Sequence, residues 1–215
     1  MNFDSINDFD SKISEVRLLL SYAQKNSKNL TRYQMFIKVS IILLVTKFES
    51  FIEDFLDEHS SQVIKGHTNR TLPVGMRQSY ALSAIEKANQ APQAEKKERC
   101  IQEISLLWLG EEKKIDTLMT YRPAVKFKLG KHGQEELMRI FALNGLKDYL
   151  LLEDTKKILR QIDSLLAIRN NIIHEDASPS ITHQDVDKYV DGIDRFVKDL
   201  YIYLQTNKAN LYNEY

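Results

Sequence analysis

Apolar side chains recur every three or four positions along most of this chain, the spacing that places them on one face of an α-helix. In the first segment, from about Ile6 to Asn26, they are Ile13, Val16, Leu19, Leu20 and Ala23. A second, longer segment is predicted to be capped by Thr31. It is apolar on most of its circumference in the middle and amphipathic toward its end, which predicts the central helix of the core. Its most apolar run, 41–45 within 39–48, is far shorter than the roughly 20 residues that span a bilayer.

The middle of the chain is less regular. Residues 59–85 contain no acidic side chain and are interrupted by two glycines and a proline, which predicts a loop or short turns with positive charge. Helical spacing returns at 79–89 and 95–109, so two shorter helices are expected there. Residues 122–133 are again acid-free and combine cations with Phe127 and two glycines, which predicts an ordered irregular loop.

Two long amphipathic segments dominate the C-terminal third. A short helix at 135–142 and a turn at Asn144-Gly145 precede a long helix that Asp154 is predicted to cap. Thr182 and Asp185 have capping-box spacing and begin the final helix. Only 7 Gly and 4 Pro in 215 residues leave few helix breakers. We therefore predict an all-α helical bundle with an irregular middle insertion, forming a single domain over residues 1–215.

Charge and cysteine content limit the classes of function. The 30 basic and 30 acidic residues cancel, so attraction for a nucleic acid has to come from local charge placement. A single cysteine, Cys100, rules out a disulfide framework and a thiolate metal cluster. That cysteine usage, and an N-terminus that is acidic where a signal peptide is basic, predict a cytoplasmic protein. Trp108 is expected to pack in the core.

The remaining histidines do not predict a metal site. His59, His67 and His183 lack partners at metal-ligand spacing, and His59 is expected at a solvated helix end beside Asp57 and Glu58. The sequence also contains no glycine-rich phosphate loop and no nucleophile with its base. We predict no cofactor and no metal.

The candidate chemistry lies in the hexapeptide from Arg169 to His174, near the end of the long C-terminal helix. It combines a permanent cation with the side chain that titrates near neutral pH, which is enough for phosphodiester cleavage without a metal. At about 100° per residue, Asn170 and His174 share a helix face, whereas Arg169 lies about 140° from His174. Arginine and histidine can then converge only if the last turn bends or a second chain contributes.

A structural interpretation of the same residues stays open. His174 could close the helix C-terminus, where a cation interacts favourably with the helix dipole. Arg169 could form a surface ion pair with Asp163 or Glu175. An Arg and a His at this spacing also arise by chance in roughly one such chain in four.

The residues around the hexapeptide carry a resemblance to a known family. Residues 165–176, followed by Ser180-Ile181-Thr182 and a final helix, resemble the Arg-polar-x3-His signature of HEPN domains. Residues 130–141 are similar to a passage of the RiboL-PSP-associated HEPN branch, in which a Gly/His-containing loop leads into a short helix. The resemblance covers the chain from about residue 120 onward, and the N-terminal helices by architecture.

The resemblance implies a dimerising helical bundle that acts as a metal-independent endoribonuclease in a toxin or antiphage-defence system. His174 would act as general base or acid, Arg169 would stabilise charge on the phosphate, and Asn170 would orient either group. Glu49 is the candidate for an acidic residue that this branch tends to carry in its second helix. The expected partners are RNA, a second copy of the chain and possible antitoxin or regulatory proteins, with no membrane. The products would carry a 2′,3′-cyclic phosphate and a 5′-hydroxyl.

The second acid-free segment supplies candidate RNA contacts, because it mixes cations with aromatics as RNA-binding surfaces do. The candidates are Arg122, Lys126, Lys128, Lys131 and His132. An ordinary loop that buries Phe127 and Leu129 is the alternative. A second function also stays open, that of a non-catalytic dimerisation or nucleotide/RNA-binding module, and replacement of His174 distinguishes it from the ribonuclease.

Overall fold

The computed structural model describes residues 2–108, 111–115, 129–175 and 178–212, with only the backbone given for 129–132. Within these ranges the chain forms nine α-helices, and β-pairing is limited to one isolated bridge. The all-α prediction is confirmed. The helices are α1 (Asp4–Lys25), α2 (Leu30–Gly66), α3 (Val74–Gln90), α4 (Ala94–Trp108), α5 (Leu129–Leu143), α6 (Lys147–Leu150), α7 (Glu153–Glu175), α8 (His183–Thr206) and α9 (Lys208–Tyr212).

Side chains at the helix starts show which capping predictions were right. The capping box at Thr182 and Asp185 is confirmed, with both reciprocal hydrogen bonds present. The prediction for α2 was wrong by two positions, because the side chain of Asn29, not of Thr31, accepts the backbone N–H of Arg32 at 3.1 Å. Asp154 is also not a cap. It lies in the first turn of α7, where it suits the positive end of the helix dipole.

Helix α2 is longer than the sequence pattern predicted. It continues to Gly66, so the loop predicted from residue 59 is confined to 67–73. Ser60 and Val63 in the added turns are both buried. Their burial stabilises the helix in a stretch where the apolar residues no longer recur at helical spacing. Helices α1, α7 and α8 all pack against α2. No described helix is both long and apolar enough to cross a bilayer.

Aromatic rings connect α2 to the C-terminal half of the chain. The ring of Phe196 on α8 lies 5.6 Å from Phe48 on α2 and 6.1 Å from Phe141 on α5, in edge-to-face contacts. The hydroxyl of Tyr149 on α6 donates to the Phe196 carbonyl at 2.6 Å, and burial raises the pKa of Tyr149 above its usual range. Four helices therefore meet at one phenylalanine, whose truncation to alanine costs about 3–5 kcal/mol in cores of this kind.

Two buried histidines attach α9 to the end of α2. His59 is 0% exposed, so the prediction of a solvated helix end was wrong. Its Nε2 donates to the Asn144 carbonyl at 2.9 Å and its Nδ1 accepts from the Tyr212 hydroxyl at 2.6 Å, because a carbonyl oxygen can only accept. His67 Nε2 likewise donates to the Leu211 carbonyl at 2.9 Å. Each ring is thereby satisfied in one tautomer.

The prediction that Trp108 packs in the core was also wrong, because the side chain is 48% exposed. Helix α4 packs chiefly against α3, and Leu107 is its one buried residue. Trp108 is the last residue of α4, and its spacing in the sequence resembles that of a core residue.

The buried imidazole makes stability depend on pH. Burial lowers the pKa of His59 from 6.5 to about 4, so the unfolded chain binds the proton more tightly than the folded one. The stabilisation is complete above pH 6.5 and is lost as the pH falls toward 4. At about 1.4 kcal/mol per pKa unit, the loss is on the order of 3 kcal/mol.

We expect His59→Gln to be less stable than the wild type at pH 7, because the Tyr212 hydroxyl loses its acceptor. Its free energy of unfolding should nevertheless fall less steeply between pH 6.5 and pH 4.5, since glutamine does not titrate. Urea unfolding of both proteins at the two pH values measures this. An equal decline in both would show that His59 is not the titrating group.

Candidate active site

The hexapeptide occupies the last two turns of α7. The apolar face of this helix is buried against the bundle through Ile158, Leu159, Ile162, Leu165, Leu166 and Ile172. Arg169 and Asn170 are half-buried, whereas His174 is exposed. The candidate catalytic groups therefore stand where the core of the bundle meets solvent.

A hydrogen bond brings the arginine toward the histidine side of the helix. Arg169 Nη1 donates to Asn170 Oδ1 at 3.0 Å, and Asn170 lies one turn before His174 on the same face. Helix α7 stays helical through Glu175. The Arg169 side chain therefore turns toward the face of His174 without a bend in the last turn of the helix. The long arginine side chain covers part of the 140° separation by itself.

The ion pairs offered as the structural interpretation do not form. Among the described residues, neither Asp163 nor Glu175 pairs with Arg169, and its Nε is buried without a hydrogen-bond partner. A buried donor left unpaired costs about 1–3 kcal/mol. The side chain of His174 likewise makes no hydrogen bond or ion pair within the described part of the chain. The other half of the structural interpretation stays open, since His174 lies in the last turn of α7, where a cation interacts favourably with the helix dipole.

Asp163 has a different role, which the sequence analysis missed. Its Oδ1 accepts the backbone N–H of Gln134 at 2.7 Å, directly after Gly133, which kinks α5 with φ of 49°. A Cβ at Gly133 would lie 2.5 Å from the same oxygen. Both this close approach and the positive φ therefore favour glycine at this position. The contact joins α5 to α7 about 9 Å before Arg169 along the helix axis. A glycine just before the periodic segment 135–142 was the available signal.

Glu49 lies on another helix. It is half-buried in the middle of α2, on the stripe that also carries the buried Val45 and Ile52. Its carboxylate therefore stands at the margin of the core, and its participation in the site stays a prediction.

The predicted RNA contacts are not tested by the structure. Arg122, Lys126 and Lys128 lie outside the described residues, and so do the side chains of Lys131 and His132. Across the ranges that are described, no three His, Cys, Asp or Glu side chains are grouped as metal ligands.

The contact between Gly133 and Asp163 generates a stability prediction. Gly133→Ala should lower the free energy of unfolding by about 2–3 kcal/mol, because the backbone there is left-handed and the new methyl group meets the carboxylate. Gly192→Ala is the matched control, since a methyl there meets only the flexible end of Gln161 within a regular helix. Urea unfolding of both variants measures the difference. Equal stabilities would contradict the constraint.

Comparison with known proteins identifies the family. The RiboL-PSP-HEPN family model matches residues 7–206, which include most of α1, all of α8 and the whole hexapeptide. Searches among curated proteins and among solved structures found no significant match. The chain therefore belongs to the RiboL-PSP-HEPN family, and this membership indicates a nuclease or RNA-related role.

Proposed function

We propose that this chain is a metal-independent endoribonuclease that cleaves RNA by attack of a ribose 2′-hydroxyl on the adjacent phosphate. The observation that supports it is the hydrogen bond from Arg169 to Asn170, which turns a cation toward the helix face of the exposed His174. The products would be a 2′,3′-cyclic phosphate and a 5′-hydroxyl. DNA lacks the attacking group and would not be cleaved.

Each residue has a distinct role in this reaction. His174 accepts the proton of the 2′-hydroxyl or donates one to the leaving 5′-oxygen. Arg169 stabilises the charge that builds up on the pentacovalent phosphate, since the described contacts use one of its five N–H donors. Asn170 holds the guanidinium on the correct side of α7.

The chemistry favours two copies of the chain. The reaction needs both a base for the 2′-hydroxyl and an acid for the leaving oxygen, and a single histidine does not fill both roles in one step. A second copy would supply the second His174. Ile173 beside it is 44% exposed, an apolar side chain that such a partner could cover.

The proposed biological role follows from the family resemblance. A ribonuclease of this type would serve as a toxin or antiphage effector in the cytoplasm and would be restrained by an antitoxin or regulatory protein. Expression of the wild type would then arrest growth, whereas the His174→Ala variant would not.

Replacement of the site residues tests the catalytic proposal. His174→Ala should lower cleavage of a mixed RNA pool in EDTA by about 10²–10⁴-fold, and Arg169→Ala by about 10²–10³-fold. Arg160→Ala, which removes the same charge from an exposed position of α7, should retain activity. End-group analysis of the fragments identifies the cyclic phosphate.

Equal cleavage by the wild type and His174→Ala would remove His174 from the chemistry. RNA binding without cleavage in every variant would favour the non-catalytic binding module instead.

A second prediction concerns assembly. Ile173→Asp should dissociate the dimer and abolish cleavage together, because it places a charge in the proposed interface. Ile202→Asp is the matched control, since Ile202 is 61% exposed on α8, toward the opposite end of the bundle. Sedimentation equilibrium measures the mass. A wild-type monomer with full activity would contradict the two-copy site.

A further inference from the structure

The first part of the chain contains a long segment without acidic residues. Residues 16–48 carry six basic side chains and no aspartate or glutamate. They form the end of α1, the turn that follows, and the first half of α2. Positive charge is therefore concentrated where these two helices meet.

Ion pairs neutralise part of this charge. Arg17 bonds to Asp187 and Asp191 of α8 at 2.7 and 2.8 Å. Lys47 bonds to Glu15 at 2.8 Å. These contacts also occupy acidic groups on the neighbouring helix, so they limit the negative potential near the turn.

Three cations remain at the turn itself, and we call them the basic turn: Lys25, Lys28 and Arg32. All three are exposed, and none forms an ion pair with another described residue. They lie within eight consecutive residues. Three solvated cations so close together attract a polyanion, not a single carboxylate.

An exposed aromatic ring lies beside the basic turn. Tyr22 is 42% exposed, and its ring stacks on Phe36 with centroids 5.8 Å apart. The Nζ atom of Lys25 lies 5.5 Å from the centroid of the same ring. A supported ring next to cations is the combination by which proteins bind single-stranded nucleic acids, because every unpaired base can stack.

Helix register places this surface at the same end of the bundle as the candidate active site. Gln161 and Gly192 mark a common level of α7 and α8, since a Cβ on Gly192 would lie 2.6 Å from Gln161 Oε1. The two helices run antiparallel, because the start of α7 and the end of α8 line one groove. Asn170 and His183 are each nine residues, or about 13.5 Å, from that level. Asn170 and His183 therefore lie at the same level along the bundle axis.

His183 then connects this level to the basic turn. Its backbone N–H donates to the Tyr33 hydroxyl at 2.9 Å, and Tyr33 directly follows Arg32. His183 also lines a depression with Ser21 and Gln24 at the end of α1. The helix ends that carry the basic turn thus lie beside the start of α8, at the same level along the bundle axis as Arg169 and Asn170.

We propose that the basic turn binds the phosphate backbone of single-stranded RNA while Tyr22 stacks on an unpaired base, and that this surface delivers the strand to Arg169 and His174. The proposal rests on the ribonuclease function proposed above and extends it to substrate recognition. Single strands are favoured over duplexes because stacking on Tyr22 requires an unpaired base. The residues of this surface all lie within described parts of the chain.

Binding of an uncleavable RNA tests the proposal. The probe is a fluorescent single-stranded 15-mer with 2′-O-methyl groups, followed by anisotropy. The variant Lys25→Gln/Lys28→Gln/Arg32→Gln should bind about tenfold more weakly, and its dependence of log K on log salt should be shallower by about 2, at 0.7 per lost phosphate contact. Tyr22→Ala should weaken binding of the single strand by about fivefold or more and leave duplex binding unchanged.

The matched control is Lys96→Gln/Lys97→Gln/Arg99→Gln, which removes the same charge from exposed positions of α4. It should change the affinity less than twofold. Wild-type affinity in the basic-turn variant, an equal loss in the control, or no RNA binding by the wild type would each overturn the proposal. Loss of binding only to phosphatidylserine vesicles, with RNA binding intact, would also overturn it by assigning the surface to a membrane.

Cleavage assays separate this proposal from the one on which it rests. If the basic-turn variant loses RNA binding but no form of the protein cleaves RNA, the surface stands and the ribonuclease function fails. If the wild type cleaves RNA and the basic-turn variant binds and cleaves equally well, the ribonuclease function stands and the surface fails.

Discussion

The structure depends on the burial of α2. The middle of this helix is apolar on several sides, so it is stable in water only when other helices cover it from several directions. Helices α1, α7 and α8 provide that cover, and the rings around Phe196 fix α5 and α6 to the same core. The positions of α1, α7 and α8 follow from this one requirement.

The candidate site forms where that cover ends. Along most of α7 the inward face is sealed by apolar side chains, but its last two turns leave Arg169 half-buried and His174 in solvent. At such a boundary a charge is screened less than at the open surface, and a substrate can still reach it. Deeper in the bundle the histidine would be inaccessible, as His59 is. Further toward solvent, the arginine side chain would lack the packing that fixes its position.

Much of the fold could be predicted from local pattern, and the errors share one cause. Periodic apolar spacing located α1, α7 and α8, and the Thr182 capping box was correct because all its partners lie within four residues. His59 and Trp108 were placed on the wrong side of the surface, because their environments are set by residues far away in the sequence. Local composition around His59 is acidic, yet Asn144 and Tyr212 enclose it. For Trp108 the spacing is that of a core residue, but the residue is half exposed at the end of α4.

The same reasoning applies to the site. The spacing of Arg169, Asn170 and His174 is a local property, so the sequence identified these residues and their shared helix. It did not show that the arginine would turn toward Asn170, nor that Asp163 would be used elsewhere. Both outcomes depend on which polar group competes best for a partner after the helices have packed.

Gly133 and Asp163 also constrain each other over evolutionary time. A side chain at position 133 would push the carboxylate away, and loss of the carboxylate would leave the N–H of Gln134 without its acceptor. A substitution at either position alone would weaken the contact between α5 and α7. In descendants of this sequence the two residues should therefore be retained together, although thirty positions separate them in the chain.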